Sequence, residues 1–298
     1  MSLARIYDVA APAKLNLFLH IIGRRADGYH LLQSLFVLID WCDTLHFERR
    51  TDGHLARQDL GPALPADDLC LRAARLLQSE SGSSLGADIS IDKQVPWGAG
   101  LGGGSSDAAS TLVALNQLWG LHWPRSRLLP LALKLGADVP FFLGGRNAFV
   151  EGIGDQLTPM ALPPMRFAVV KPAGSIETRA LFGSSLLTRD SDPVIIKGSS
   201  QSAELCCSRF GRNDLQRAAN AACPEVTDAA ALLNTAFGNS RMTGSGSAVF
   251  AHAGGAGQGS EASGLPPGVA IQALLAPGWQ GRMCHSLDEH PLVGWSQG

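Results

Sequence analysis

The sequence predicts an α+β protein made of two domains. Its 298 residues are enough for one large domain or for two of ordinary size. Alternating apolar and polar residues, typical of strands, occur at 14–21 and again before a helical pattern that follows residue 105. A proline-rich stretch with few polar residues, 157–165, then interrupts the chain. We therefore expect an N-terminal domain at 1–160 and a C-terminal domain at 161–298.

The composition excludes several classes of protein. Hydrophobic residues make up 45% of the chain and charged residues 17%, which is typical of a globular protein with a sizeable core. The net charge of −2 gives no electrostatic footprint for nucleic acid. The apolar stretches are too short to span a bilayer, and Lys14 and Asn16 interrupt the N-terminal run where a signal peptide would be apolar. We expect neither a nucleic acid nor a membrane as partner.

The six cysteines form no C-x-x-C pair, and no pair of histidines has zinc-site spacing. We interpret them as reduced thiols of a cytoplasmic protein rather than as a metal or disulfide framework.

The first half of the chain begins with strands. Leu15, Leu17, Leu19 and Ile21 alternate with polar positions, which predicts a strand with one buried face and with Lys14 and Asn16 together on the other face. An Asp-Gly turn signal at 27–28 and a further strand at 31–48 follow. The spacing then predicts a helix at 69–79 and a strand at 87–95.

A glycine-rich stretch, P-W-G-A-G-L-G-G-G-S-S-D at 96–107, separates this strand from the next helix. Ser105 or Ser106 is the expected N-cap of that helix, with Asp107 in its first turn and Gly120 at its end. A shorter helix at 125–135 closes at Gly136.

The sequence of the second half predicts a strand at 167–172 and helices near 213–221 and 226–236. It also contains a second glycine motif, M-T-G-S-G-S-A-V-F, at 242–250. Residues 183–203 are rich in glycine and serine, and residues 253–268 predict a flexible surface loop. The segments 183–212 and 253–268 receive no function.

The glycine run at 96–107 allows three interpretations. A structural turn needs one or two glycines, whereas five occur here. A dinucleotide fingerprint matches Gly98, Gly100 and Gly103, but it expects an acidic residue about 20 positions later, and 118–137 contains none. A phosphate-binding loop, in which backbone N–H groups and a helix N-terminus surround a polyphosphate, accounts for most of the residues. A Walker P-loop is excluded because no lysine follows the last glycine.

The glycine run resembles the phosphate loop of the GHMP kinases, the superfamily of galactokinase, homoserine kinase and mevalonate kinase. Three further motifs, A-P-A-K-L-N-L-F-L at 11–19, R-R-A-D-G-Y-H at 24–30 and L-G-A-D-V-P-F-F at 135–142, are similar to one family within it. Members of that family phosphorylate the 2-hydroxyl of 4-diphosphocytidyl-2-C-methyl-D-erythritol in the non-mevalonate isoprenoid pathway. The similarity extends from about residue 10 to 182 and resumes at 213–215 and 242–246.

The resemblance implies a two-domain GHMP-kinase fold. Its first domain would contain a left-handed βαβ unit, which the usual handedness rule does not predict, and its second would be a ferredoxin-like α/β sandwich. The resemblance also implies ATP as phosphoryl donor and Mg²⁺ on its phosphates, with Ser106 as a weakly indicated metal ligand.

The same resemblance implies the site residues. Lys14 and Asp138 match the catalytic pair. The ATP-binding positions are Asp68, Leu69, Lys93, Pro96, Gly98, Ala99, Gly100, Leu101, Gly102, Gly103, Gly104, Ser105, Ser106 and Asp107. The acceptor-binding positions are Asn16, Tyr29, His30, Phe36, Ile153, Thr178, Phe182, Gly244 and Gly246. An aromatic pair, Tyr29 and Phe182, would enclose the cytosine, with Phe36 nearby and His30 on the edge of the base.

Alternatives to this function remain open. Another small-alcohol kinase of the superfamily would act on homoserine or mevalonate, and a nucleotide-binding sensor would have lost catalysis. Core packing competes as the role of Phe36 and Phe182. Asp68 also departs from the family, which has asparagine there, and an ionised carboxylate cannot donate a hydrogen bond to adenine.

Overall fold

The computed structural model describes residues 3–195, 202–255 and 271–296. Most of the loop predicted at 253–268, and residues 196–201 of the glycine- and serine-rich segment, lie outside the described residues. Residues 253–255 were expected in that loop, but they form the end of a strand, because their backbone continues the pairing of the second sheet.

The strands form two sheets. The strands are β1 (Arg5–Arg24), β2 (His30–Arg50), β3 (Leu55–Asp59), β4 (Gly86–Asp92), β5 (Ala148–Glu151), β6 (Gln156–Pro159), β7 (Met165–Lys171), β8 (Arg241–Met242), β9 (Val249–Gly255) and β10 (Gln280–His285). The α-helices are α1 (Leu69–Ser81), α2 (Gly103–Leu118), α3 (Arg125–Leu135), α4 (Val139–Gly144), α5 (Thr178–Gly183), α6 (Ser202–Leu205), α7 (Gln216–Ala222) and α8 (Pro224–Phe237).

The first sheet has the order β3-β4-β2-β5-β6, and β1 pairs with β2 in a long antiparallel hairpin. The strands β3 and β4 pair in parallel and are joined through α1, so they form the expected βαβ unit. Its left hand stays a prediction. The second sheet has the antiparallel order β10-β7-β9-β8.

The hairpin of β1 and β2 is buried on both faces. The helices α1 and α2 cover one face and build a core with Phe47, Leu112 and Leu115. The second sheet packs on the other face, where Leu15 of β1 shares a core with Phe167 of β7. The prediction of one buried face for residues 14–21 was therefore wrong, because the sequence pattern does not reveal a second sheet packed on the first.

The second sheet carries helices on its remaining face. Val170 and Val249 of the sheet pack with residues of α7 and α8 in a third core. This arrangement of one antiparallel sheet and covering helices is the predicted α/β sandwich. After the second sheet, the chain returns to the first sheet, as the position of Leu292 in the first core shows. The division at residue 160 stays a prediction.

Helix ends were predicted with mixed success. The helix α3 covers 125–135 and ends at Gly136, and Gly120 adopts the left-handed conformation just after α2, as expected. The expected N-cap of α2 was wrong, because the helix begins at Gly103 and its N-cap is Gly102 with a φ of 73°. Ser105 and Ser106 therefore lie inside the first turn, and the loop glycines themselves begin the helix.

No helix within the described ranges has both the length and the apolarity needed to cross a bilayer.

Truncation of the core of α2 should destabilise the protein strongly. Leu115 is fully buried between α2 and the first sheet, so Leu115→Ala should lower the free energy of unfolding by about 2–5 kcal/mol. Leu133→Ala removes a leucine that is 52% exposed on α3 and should cost less than about 0.5 kcal/mol. Urea unfolding of both variants measures the difference, and equal losses would contradict the assigned core.

Candidate active site

The glycine run folds into a tight loop that only glycine permits. Gly98, Gly100 and Gly102 all have positive φ angles, between 65° and 75°. A Cβ on Gly100 would lie 2.5 Å from the carbonyl oxygen of Thr243, so a side chain there would collide with the backbone of the second glycine motif. The alternating left-handed positions therefore bend the loop and allow close backbone contact.

The second glycine motif packs directly on this loop. The N–H of Ala248 donates to the carbonyl of Ala99 at 3.1 Å, and a Cβ on Gly244 would lie 2.8 Å from the carbonyl oxygen of Gly100. Asn213 donates from its amide to the carbonyls of Met242 and Gly244, each at 2.8 Å. The two motifs, which are more than 130 positions apart, thus form one surface.

A cavity of about 270 Å³ lies over this surface at the N-terminus of α2. The N–H of Ser106 bonds to the carbonyl of Gly102, while the N–H groups before it have no partner within the helix. These free donors and the positive end of the helix dipole create a site for an anion. The lining contains most of the predicted ATP-binding positions, namely Leu69, Lys93, Pro96, Gly98, Ala99, Gly100, Leu101, Gly102, Gly103, Gly104 and Ser105.

Lys93 reaches this cavity from a buried ionic cluster. Its ammonium group pairs with Asp43, which is fully buried, and lies 2.7 Å from Asp107 Oδ2. Asp107 was expected in the first turn of α2, but it lies beyond that turn because the helix already begins at Gly103. Burial raises the pKa of Asp107 to about 8, against the opposing attraction of Lys93. Burial lowers the pKa of Lys93, but the two carboxylates outweigh it and raise that pKa overall. The cluster fixes the position of Lys93 below the glycine loop.

Lys14 and Asp138 meet on the other side of the glycine loop. The Lys14 ammonium is buried and lies 3.7 Å from Asp138 Oδ2, 2.5 Å from Asn16 Oδ1 and 3.0 Å from the carbonyl oxygen of Gly100. Burial lowers the pKa of Lys14, and the charge of Asp138 opposes that shift. The Asp138 side chain remains one-third exposed, so its carboxylate is accessible to a ligand.

A second cavity of about 360 Å³ opens at this pair. It shares Gly100, Gly102 and Ser105 with the first cavity, so the two spaces meet at the glycine loop. The predicted acceptor positions that line it are Asn16, Phe36, Ile153, Thr178, Phe182 and Gly244, and Gly246 lines the first cavity instead. Phe36 is also buried in the first core, so it packs there as well as lining the cavity, and its part in acceptor binding stays a prediction.

The aromatic residues of the second cavity are arranged differently from the expected pair. The ring of His30 stacks on Phe182, with centroids 5.2 Å apart and planes at 27°. Tyr29 is 62% exposed on the turn between β1 and β2, and neither Tyr29 nor His30 belongs to the lining of the second cavity. The Nε2 atom of His30 is buried and has no hydrogen-bond partner, which makes it available to a ligand.

The structure gives Asp68 a role that differs from adenine binding. Its carboxylate accepts a hydrogen bond from the N–H of Leu71 as the N-cap of α1 and lies 2.7 Å from the guanidinium of Arg57. Leu69 lines the first cavity, whereas Asp68 does not.

Sequence reasoning missed three residues of this region. Trp97 is 74% exposed and lines the first cavity and a neighbouring one of about 580 Å³. A large aromatic residue within a motif made mostly of glycine and serine is the sequence signal that could have identified it. Asp43 acts through a contact across 50 positions, so no local pattern marks it. Asn213 belongs to the segment 213–215, where the resemblance resumes, but its contacts across 31 positions were not predicted.

The site also offers few protein ligands for a metal. Within the described ranges, no group of three or more His, Cys, Asp or Glu side chains could hold an ion. The Ser106 hydroxyl is buried and has no partner. This donor set fits Mg²⁺, because that ion usually binds through substrate phosphates and waters with few protein groups.

The chain is similar to known proteins over its whole length. Residues 68–146 match the model of the GHMP kinases N terminal domain. The chain is 63% identical over 298 residues to 4-diphosphocytidyl-2-C-methyl-D-erythritol kinase of Methylibium petroleiphilum, covering 99% of this chain and 100% of that protein. The protein of the same name from Albidiferax ferrireducens is 55% identical, with coverage of 98% and 96%.

Solved structures agree. A crystal structure of 4-(cytidine 5'-diphospho)-2C-methyl-D-erythritol kinase superposes with a TM-score of 0.76 at 35% identity, covering 93% of this chain and 98% of that one. The homoserine kinase of Cytophaga hutchinsonii, at 16% identity and a TM-score of 0.68, covers 97% of this chain and 96% of its own, and it shares the fold. The chain therefore belongs to the 4-diphosphocytidyl-2-C-methyl-D-erythritol kinase family of the GHMP kinases.

Proposed function

We propose that this chain transfers the γ-phosphoryl group of ATP to the 2-hydroxyl of 4-diphosphocytidyl-2-C-methyl-D-erythritol, yielding the 2-phosphate and ADP in non-mevalonate isoprenoid biosynthesis. The observation that carries the proposal is the meeting of two cavities at Gly100, Gly102 and Ser105, with Lys14 and Asp138 on one side only. An anion-binding cavity beside a cavity with a paired carboxylate is what direct transfer between a nucleotide and an alcohol requires.

The glycine loop holds the nucleotide phosphates. The free N–H groups at the start of α2 donate to the phosphate oxygens, and Lys93 adds a positive charge that its ionic cluster keeps in place. Leu69 and Trp97 line this cavity and its rim and offer apolar surface to the nucleoside.

Asp138 receives the proton of the acceptor hydroxyl or orients that hydroxyl for attack. Its carboxylate is accessible from the acceptor cavity and lies 3.7 Å from the ammonium group of Lys14. The same ammonium contacts the carbonyl oxygen of Gly100, so it reaches the point where the two cavities meet. There it stabilises the negative charge that develops during transfer.

The acceptor cavity supports a cytidine-bearing substrate better than a small alcohol alone. Phe182 lines the cavity and offers an aromatic face. His30 does not line the cavity, but it stacks on Phe182 and has a buried ring nitrogen without a partner, which could bond the edge of a base. Homoserine and mevalonate contain no base. A sensor without catalysis is disfavoured because Lys14 and Asp138 are both present and lie 3.7 Å apart.

Mg²⁺ is the metal that we propose for the reaction. When bound, it neutralises charge on the transferred group. The Ser106 hydroxyl is the protein group that would hold it, together with the nucleotide phosphates.

The cytoplasm is the compartment that we propose for the reaction. All six cysteines lie within the described ranges and are free thiols, as expected of a protein kept in a reducing environment. No nucleic acid or membrane partner is needed for the proposed reaction.

The purified protein should release ADP from Mg-ATP only with the cytidine-bearing acceptor. Parallel assays with 4-diphosphocytidyl-2-C-methyl-D-erythritol, homoserine and mevalonate measure this directly. If homoserine or mevalonate supports turnover and the cytidine-bearing acceptor does not, the proposed substrate is wrong. If ATP binds but none of the three acceptors is turned over, the result favours a nucleotide-binding sensor.

Asp138→Asn should lower kcat by about 10²–10⁴-fold, because the amide cannot accept the proton of the hydroxyl. The KM for ATP should change little, since Asp138 lines only the acceptor cavity. Asp228→Asn, which neutralises an exposed carboxylate on α8, is the matched control. Full activity of Asp138→Asn would exclude Asp138 from catalysis.

Phe182→Leu should raise the KM for the cytidine-bearing acceptor by about five- to a hundred-fold, because stacking on a base contributes about 1–3 kcal/mol. Phe237→Leu changes another half-buried aromatic residue of the same core and serves as control. An unchanged KM for the acceptor in Phe182→Leu would assign Phe182 to core packing alone.

A further inference from the structure

Arg189 lies in the segment 184–195, which follows α5 and has no role in the function described so far. Its guanidinium donates to the carbonyl of Ser184 at 2.8 Å and lies 3.4 Å from the carbonyl oxygens of Phe182 and Leu187. The half-buried side chain therefore contacts two backbone acceptors at the end of α5 and a third, that of Leu187, in the segment that follows.

That helix carries two residues of the acceptor cavity. α5 has only six residues, begins at Thr178 and includes Phe182. A helix of this length has little stability of its own, and its last carbonyls lack partners within it. A cation at the C-terminal end satisfies those carbonyls and interacts favourably with the helix dipole. Arg189 thus caps the C-terminal end of α5, the helix that contains Phe182.

The segment itself is attached firmly to the first sheet. Leu187 is buried in the same core as Leu181 of α5. The N–H of Ser191 donates to the carbonyl of Ile21 at 3.0 Å, and the Ser191 hydroxyl donates to Asp214 at 2.5 Å. The segment that carries Arg189 therefore connects α5 to the end of β1, the strand that also carries Lys14.

Arg189 also acts on the charge of the neighbouring imidazole. Burial is the first cause that lowers the pKa of His30, and the positive charges of Arg189 and Arg24 lower that pKa further. Arg24 belongs to the end of β1, and its Nε donates to the carbonyl of Gly28 in the turn. Positive charges from two elements therefore act with burial to lower the pKa of this imidazole.

We propose that Arg189 is a positioning residue of the acceptor site, which fixes Phe182 against His30 and keeps a positive charge beside that imidazole. The proposal rests on the proposed function, because it concerns recognition of the base of a nucleoside diphosphate. It assigns a role to a segment whose sequence shows no motif.

Three variants test the proposal. Arg189→Gln removes both the charge and most of the carbonyl contacts, whereas Arg189→Lys keeps a charge that cannot reach all three carbonyls. Arg179→Gln removes an exposed charge from the same helix and is the control. For each, kcat and the KM for ATP and for the cytidine-bearing acceptor are measured, together with the pKa of His30 by NMR in the free protein.

Arg189→Gln should raise the KM for the acceptor by about tenfold, as expected for the loss of charge-assisted hydrogen bonds, with the KM for ATP unchanged. The pKa of His30 should rise because one repelling cation is gone. The neutral imidazole then becomes protonated at a higher pH, so the acidic limb of kcat/KM for the acceptor should move to higher pH. Arg189→Lys should raise the KM for the acceptor while leaving the pKa of His30 near that of the wild type.

The proposal is overturned if Arg189→Gln leaves both the KM for the acceptor and the pKa of His30 unchanged, or if it raises both KM values equally. If Arg189→Gln does not fold, Arg189→Lys decides through the KM for the acceptor. Failure of the proposed function is a separate result, since the wild type itself would then not turn over this acceptor. In that case the NMR comparison still tests the effect of Arg189 on His30.

Discussion

The site depends on the close approach of two backbone segments that are distant in sequence. Gly100 meets Thr243 and Gly244 without intervening side chains, and Ala248 donates to the carbonyl of Ala99. The N–H of Lys14 in turn donates to the carbonyl of Leu101, so the first strand is attached to the same loop. A Cβ at Gly100 would push the segments apart and disrupt the surface at which the two cavities meet. The glycines are therefore required first for this contact and only secondarily for flexibility.

Charge is distributed unevenly around that contact. Lys14 has one carboxylate, a side-chain amide and a carbonyl as partners, whereas two buried carboxylates share Lys93. A buried charge costs several kcal/mol unless it is paired, so each ammonium group needs its set of partners to stay in place. These partners therefore determine where each ammonium group lies in the site. Lys14 remains available at the meeting point of the cavities, and Lys93 is held below the loop, where it adds positive charge without moving.

The sequence predicts local features of this molecule better than its long-range contacts. Gly136 and Gly120 mark helix ends because their effect is local, and Lys14 and Asn16 are recognised as neighbours because they lie on one strand face. The N-cap of α2 was wrong since several glycines compete for that position and only the packed loop selects Gly102. The burial of both faces of β1, and the roles of Asp43 and Asn213, depend on elements far along the chain. These contacts form only when distant elements pack together. The spacing of residues along the sequence does not predict that packing.

The positive charges of Arg189 and Arg24 lower the pKa of His30 and so favour its neutral form. A neutral imidazole has one donor and one acceptor, whereas an imidazolium has donors only. The edge of cytosine also presents both kinds of group, an amino donor and a ring-nitrogen acceptor. An acidic residue in place of Arg189 would favour the imidazolium and remove the acceptor. Arg189 and Arg24 have the opposite effect, and their positive charge also attracts an anionic ligand. The same two charges can thus assist both the recognition of the base and the approach of the diphosphate that carries it.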